Sequence, residues 1–486
     1  MSNLKKSIAK NYIYNLIYQM LTIFLPLVTT PYLSRVLGAE PIGIYGYTVS
    51  IVTYFILFGT LGISMYGQRE IAYKANCKSE KSKVFWELIV IRSITLTISI
   101  VLFTLIYGTS SNYAVYYRIL IIQLVANLFD ISWFFQGIEE FDKTVIRNVI
   151  VKMLSLVLIF VVVKSPGDLW KYFLIYVAAE LIGNITLWLY LPKYIEKVNF
   201  KLLKFKKHIK PVLSLFLPQV AIQIYTVLDK TMIGLITNDM VEVGYYEQGQ
   251  KVVKAALTIL NALQLVMNSR IANAYANEDK KEVSECLEKS FNFTWLLAVP
   301  MVFGFIAVAP GFVPWYYGDG FEGVIPILIT TAPILIAIGL SGITGVQYLV
   351  QIGKQNKFTL SVTIGAFVNI ILNLILIKFF KGVGAAVASV IAELTILLVQ
   401  LRYFKDQFSL FKILKLSAKC WISGIIMFVI VKILAQHMSV SIANTIIQTI
   451  IGGIIYLTLL IILRYRFIYD VFNQVLTGIK AKIKRA

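Results

Sequence analysis

Long apolar runs alternate with short polar stretches along the whole chain. Runs close to or above the roughly 20 residues needed to cross a bilayer occupy positions 11–36, 42–66, 84–107, 113–135, 146–164, 169–191 and 212–236. They continue at 243–267, 291–315, 324–350, 358–379, 383–403, 414–435 and 441–463. The pattern predicts an all-α, polytopic membrane protein with about 14 transmembrane helices. Alternate loops differ in charge. One set carries Lys5, Lys6, Lys10, Arg69, Lys74, Lys78, Lys81 and Lys83, then the basic stretches 193–210, 270–289 and 464–485, with shorter loops at Lys143, Lys354 and Lys405. Most of the 46 Lys and Arg residues fall in that set, which predicts that both termini are cytoplasmic. The opposite loops are all short. Residues 1–10 are basic and lead into the first run with no small-residue cleavage pattern, so that run reads as a retained span.

A shift of 201 residues lays Gly43 on Gly244, Tyr45 on Tyr246, Val52 on Val253 and Arg69 on Arg270, and Ala75-Asn76 on Ala276-Asn277. A slightly larger shift lays Ala179-Glu180-Leu181 on Ala392-Glu393-Leu394; the alternative is a chance alignment of apolar sequence. Six spans per copy is an even number, which predicts two parallel lobes with a substrate site between them. The expected organisation is a six-helix lobe over 1–205, a second over 206–410, and two extra transmembrane helices with a basic cytoplasmic tail over 411–486.

Composition narrows the class further. The chain is 58% hydrophobic and 15% charged, with a mean hydropathy of +0.76, outside the range of soluble domains. Three cysteines and two histidines do not suffice for a disulfide framework or a His-based metal centre. No cofactor is implied. The net charge of +21 reflects loop lysines, and without a basic soluble domain it implies no nucleic-acid partner. The run KLLKFKKHIK at 201–210 reads as an orientation signal, with anionic membrane lipids as its alternative partner.

Charges inside the spans carry the functional information, because an ionisable group in a membrane segment is expensive and by default marks a transport path. The runs 212–236 and 243–267 form a hairpin around Thr237-Asn238-Asp239-Met240. Asp229 and Lys230 precede the turn; Glu247, Lys251 and Lys254 follow it at i, i+4, i+7 on one helix face, headed by Gly244. Gln219, Gln223 and Tyr225 share the first arm, Gln250 the second, and Glu393 lies further on. The first lobe offers Asn11, Tyr14, Asn15, Tyr18 and Gln19 on one stripe, then Arg35, Tyr45, Tyr47, Arg118, Asp130, Lys152, and Glu180 with Asn184. Lys and Arg suit an anionic head group such as pyrophosphate. Tyr, Asn and Gln suit sugar hydroxyls, and carboxylates in a dry site suit proton coupling. The alternative is that these charges pair with one another and fix helix packing. The candidate substrate-binding residues are Arg35, Tyr47, Arg118, Gln223, Lys230, Lys251 and Lys254; the candidate ion-coupling residues are Asp229, Glu247 and Glu180. No phosphate-binding Gly loop, His cluster or Ser-centred nucleophile motif is visible, so no catalytic residue is assigned.

The stretch LSRVLGAEPIGIYGYTVSIVTYFILFGTLGISMYGQREIA, at 33–72, resembles the first outer turn and second span of bacterial polysaccharide flippases. The stretch VLDKTMIGLITNDMVEVGYYEQGQKV, at 227–252, resembles their seventh and eighth spans. The chain is thus similar to the Wzx-type branch of the multidrug/oligosaccharidyl-lipid/polysaccharide (MOP) exporter superfamily over nearly its whole length. The resemblance implies movement of an undecaprenyl-pyrophosphate-linked oligosaccharide repeat unit from the cytoplasmic to the outer leaflet of a bacterial cell membrane, for capsule or O-antigen-type polymers. It implies alternating access around a V-shaped cavity, coupling to an ion gradient, and a polymerase and other polysaccharide-assembly proteins as partners. By position, the family's cationic cavity falls on Arg35, Arg118, Lys230, Lys251 and Lys254, and its acidic members on Asp229 and Glu247. Rival readings are a lipid II flippase or a drug/cation antiporter of the same superfamily. From other classes come a lipid scramblase and a membrane-embedded polysaccharide polymerase, which the short outer loops disfavour.

Overall fold

The computed structural model describes residues 25–109, 112–404 and 410–469, excluding the side chains at 217–218, 221–222, 224–225, 262–266 and 410–412. The expected stripe of Asn11, Tyr14, Asn15, Tyr18 and Gln19, the Tyr225 side chain, Lys405 and the tail beyond 469 lie outside the described residues. Among the described residues the structure is helical and without strands. The first described helix, α1, covers 25–37. It is followed by α2 (Ala39–Thr60), α3 (Ile63–Tyr73), α4 (Lys78–Tyr107), α5 (Ala114–Leu128), α6 (Ser132–Gly137), α7 (Phe141–Val162) and α8 (Leu169–Tyr190). Then come α9 (Lys206–Thr237), α10 (Met240–Ala276), α11 (Lys280–Tyr317), α12 (Val324–Thr331), α13 (Ile334–Ser341) and a π-helical segment, Gly342–Val350. The series closes with α14 (Gln355–Phe404), α15 (Leu410–Gln436) and α16 (Ile442–Ile462).

Ten segments of the described chain are long and apolar enough to cross a membrane. That set counts α14 once and does not include α1, α9 or α10. Yet α14 has 50 residues and leaves helical geometry at Lys381, where φ is +47°; at 1.5 Å per residue it is more than twice the length of one crossing. Side chains such as Leu105, Val161, Leu189, Leu398 and Ile462 are strongly exposed. So much apolar surface is untenable in water and natural in lipid. The protein is a multi-pass helical membrane protein.

Spans read as continuous in the sequence are broken where the backbone requires it. The run 42–66 divides at Leu61 and Gly62, both in the left-handed region, where Gly62 carries no steric cost. The run 113–135 divides after Phe129, where the Asp130 carboxylate accepts the Ser132 N–H at 3.0 Å and starts α6. The α9–α10 turn closes as its residue types suggest. Asn238 adopts φ +52° and returns its N–H to the Gly234 carbonyl, and Asp239 Oδ1 accepts the Val241 and Glu242 N–H groups at 3.1 and 3.4 Å.

The chain divides into two compact units, 1–247 and 248–486. In the first, α2 meets the α9–α10 hairpin through glycines. A methyl group at Gly43 would collide with the Met240 carbonyl and stand 2.9 Å from the Gly244 nitrogen; one at Gly244 would collide with the Ala39 carbonyl and stand 3.2 Å from the Gly43 nitrogen. These four positions are equated pairwise by the 201-residue shift, so the contact is reciprocal, as across a local two-fold axis. Small residues let helices approach closely where lipid removes any hydrophobic drive for association. An aromatic core of Phe85, Trp133, Phe134 and Phe135 packs with Ile63 and Leu88 nearby. In the second unit α11, α15 and α16 surround Phe291, Trp295, Cys420, Met427 and Tyr456.

Candidate functional site

The α9–α10 hairpin brings its charges together in pairs. Lys230 Nζ and Glu247 Oε2 stand 2.8 Å apart, each side chain 16% exposed. One residue earlier on each arm, the Tyr246 hydroxyl donates to Asp229 Oδ2, and Asp229 is buried. Thr231, next on α9, shares hydrogen bonds with Ser50 and Tyr54 of α2 at 2.7 and 3.1 Å. Gly46 leaves room beside Glu247: a methyl group there would sit 3.7 Å from its Cβ and Oε2. Of the two sequence readings for these residues, pairing describes this conformation, but the Lys230–Glu247 pair keeps partial access to its surroundings.

A cluster of aromatic rings joins α2 to α8. The Tyr45 ring packs against Tyr172, Phe173 and Tyr176 of α8, with centroids 4.8, 5.1 and 6.0 Å away, and Glu247 lies within electrostatic range of all three tyrosines. Tyr176 also lines a cavity of 530 Å³ with Asp130, Arg147, Lys152, Glu180 and Asn184. There Arg147 Nη1 donates to Asn184 Oδ1 at 2.6 Å, Asn184 Nδ2 donates to the Ala126 carbonyl at 2.8 Å, and Asn127 Nδ2 reaches Glu180 Oε1 at 3.4 Å. Behind it the buried Arg92 donates to the Asn127 carbonyl, to Ser64 Oγ and to Asp130 Oδ2 at 3.0, 3.3 and 3.3 Å. Two cations, two carboxylates and several hydroxyls and amides thus line one cavity, suited to a polar, hydroxyl-rich ligand.

The remaining candidates fall elsewhere. Tyr47 is buried with its ring against Gly234 and 6.2 Å from the Tyr113 ring, which makes it a packing residue in this conformation. Arg118 is exposed and donates to the Gly108 carbonyl at 2.9 Å, closing the end of α4. Arg35 is exposed on α1, 3.4 Å from the Pro31 carbonyl, and Gln223 is half-buried on α9. Lys251, half-buried, and Lys254, exposed, follow Glu247 along α10 and belong to the second unit. In that unit Asn369 and Asn373 are buried one turn apart on α14. Asn373 donates to Asn369 at 3.1 Å, and Asn369 to Ser389 at 3.5 Å. Glu393, also buried, follows Ser389 by one turn.

Arg92 and Arg147 were not singled out from the sequence, although each interrupts an apolar run, which is the signal that marks intramembrane function. A third cluster also went unread. His208 Nδ1 is 2.8 Å from the Tyr66 hydroxyl and Nε2 is 2.7 Å from Glu87 Oε2, which Lys207 approaches to 2.8 Å. The Nε2–H tautomer satisfies both ring nitrogens. Burial holds the His208 imidazole below its ordinary pKa, against the opposing pull of Glu87.

The helical order, the paired charges of the hairpin and the mixed-charge cavity define a membrane transporter. The polysaccharide biosynthesis protein family model matches residues 8–267, and the chain belongs to that family. A model described as the lipid II flippase MurJ matches residues 141–450. A candidate O-antigen transporter of Escherichia coli strain K12 is 24% identical over 84% of this chain and 99% of its own length. Among solved structures, the lipid II flippase MurJ in an inward closed conformation superposes with a TM-score of 0.73 at 18% identity, covering 94% of this chain and 99% of that one. An inward-facing multidrug resistance MATE family transporter of the MOP superfamily gives 0.64 at 14% identity, over 83% and 98%. The fold is that of MurJ and MATE transporters.

Proposed function

We propose that this protein flips an undecaprenyl-pyrophosphate-linked oligosaccharide repeat unit from the cytoplasmic to the outer leaflet of a bacterial cell membrane, for a capsule or O-antigen-type polymer. The observation that carries the reading is the 530 Å³ cavity with Arg147, Lys152, Asp130 and Glu180 on its walls, in the same unit as the Lys230–Glu247 pair. A drug or a bare lipid does not call for so many hydrogen-bonding groups; a charged glycan does. The candidate O-antigen transporter relative supports the same substrate class.

In this reading Glu247 holds Lys230 while the site is empty. A pyrophosphate carries more negative charge than one carboxylate, so it competes for Lys230 and for Lys251 further along α10. Glu247 is thereby released and becomes available to a proton, which couples substrate binding to an ion gradient. Asp229 and Glu180 serve the same coupling, and the protein alternates access between the two faces. Both termini are cytoplasmic, and a polymerase receives the unit on the outer face. The match to the MurJ model favours lipid II as a second substrate reading.

The test is polymer output in the host from Lys230→Ala/Lys251→Ala at wild-type membrane abundance. Output falls about tenfold or more if two charge-assisted contacts to the head group are lost. Unchanged output rules out the cationic role of the hairpin.

A further inference from the structure

The second unit contains a cavity of 620 Å³ where the beginnings of α11 and α15 meet the chain that leaves α16. Its floor is built. After α16 the backbone turns at Arg464, with φ +51°, and the Tyr465 N–H returns to the Leu460 carbonyl at 2.9 Å. The buried Tyr465 hydroxyl donates to Asn292 Oδ1 of α11 at 2.7 Å, and Lys419 of α15 donates to the Arg464 carbonyl at 3.0 Å. These two bonds tie the end of α16 to both neighbours.

Four cations line the space: Lys289 on α11, Lys415 and Lys419 one turn apart on α15, and Arg466. Glu285 and Glu288 also line it, so four positive charges against two negative leave an excess of two. Leu416 and Phe467 add an apolar wall. Leu414, Ile461 and Ile462 lie beside these residues in the chain and are exposed, on helices that cross the membrane. Cations on long aliphatic stems at helix ends, next to a lipid-facing surface, match a phosphate head group whose acyl chains lie along the helices. A soluble anion has no use for the apolar wall.

We propose that this cavity binds the phosphate head group of an anionic glycerophospholipid, with Lys289, Lys415 and Arg466 contacting the phosphate and Lys419 shared with the Arg464 carbonyl. The site anchors α11, α15 and α16 to one surface of the bilayer, and it does not depend on the substrate proposed above.

The experiment titrates detergent-purified full-length protein with phosphatidylglycerol, phosphatidylcholine or inorganic phosphate and counts bound lipid by native mass spectrometry. Phosphatidylglycerol binds in preference to phosphatidylcholine, and millimolar inorganic phosphate does not displace it. Lys289→Gln/Lys415→Gln weakens phosphatidylglycerol binding by about 25-fold, about fivefold per lysine, and leaves phosphatidylcholine unchanged. Glu285→Gln, which removes a repelling charge at an exposed position, strengthens it by roughly two- to fivefold, a gain that a misfolded variant cannot produce. Wild-type phosphatidylglycerol affinity in the double variant overturns the site. Displacement by inorganic phosphate makes it a free-anion site and overturns the lipid assignment.

Discussion

Reversing the Lys230–Glu247 pair separates its packing role from its role in transport. Each side chain is 16% exposed and the charged atoms are 2.8 Å apart. Removing one partner from a fully buried pair costs about 3–5 kcal/mol because the other charge is stranded, whereas a fully exposed pair contributes about 0–1 kcal/mol. At this exposure Lys230→Met or Glu247→Gln should cost about 2–3 kcal/mol. Lys230→Glu/Glu247→Lys restores opposite charges at the same separation, so the double variant recovers most of the loss, a coupling of about 2 kcal/mol. Thermal unfolding followed by tryptophan fluorescence in detergent measures that coupling, and polymer output in the host measures transport. The account predicts that the swap restores stability and leaves export low, because a carboxylate then stands where the pyrophosphate needs a cation. Full export from the swapped protein refutes the reasoning and makes the pair a clasp.

Gly43→Ala and Gly244→Ala each force a methyl group into a facing carbonyl, so each lowers stability by about 1–3 kcal/mol. Since one widened crossing accommodates both, the double variant loses less than the sum; an additive loss in the thermal melt argues against a shared contact. Arg147→Met leaves the Asn184 amide oxygen without its 2.6 Å donor, at a cost of about 1–3 kcal/mol that Asn184→Leu partly relieves in the same background; no relief means the bond is not what stabilises the site. The folded state holds His208 below its ordinary pKa, so the unfolded chain takes up the proton first. The contribution of neutral His208 is complete above about pH 6.5 and is lost as the pH falls below it. Melting temperature should therefore drop more steeply from pH 7 to 5 in wild type than in His208→Gln, and equal slopes contradict the assignment.

The hairpin was legible because its signals are local. Asn238 and Asp239 are turn and cap formers, and charges equidistant from a tight turn must lie at one depth. Which charge pairs with which depends on how each helix is rotated about its axis, and an apolar helix surface in lipid has no amphipathic stripe to reveal that rotation. The same limitation explains Tyr47 and Arg118. Both sit on plausible polar positions, yet one packs on Gly234 and the other closes α4. The breaks at Gly62 and Asp130 were hidden inside apolar runs because hydropathy averages over a window longer than the break, whereas Lys381 falls between the runs 358–379 and 383–403. Arg92 and Arg147 were visible as charges in such runs, and their partners, Asp130 and Asn184, lie 38 and 37 residues away, beyond any helical spacing rule. The glycines the repeat equates are the ones that touch, a relation that spacing alone did not state.

The claim that this protein flips a lipid-linked glycan is tested most directly by deleting its gene in the host and identifying the lipid-linked sugar that accumulates on the inner leaflet. The account predicts stalled undecaprenyl-pyrophosphate-linked repeat units with peptidoglycan synthesis intact, reversed by the wild-type gene and not by Lys230→Ala/Lys251→Ala. Accumulated lipid II with lysis assigns the protein to peptidoglycan export, and the absence of any stalled lipid contradicts the account.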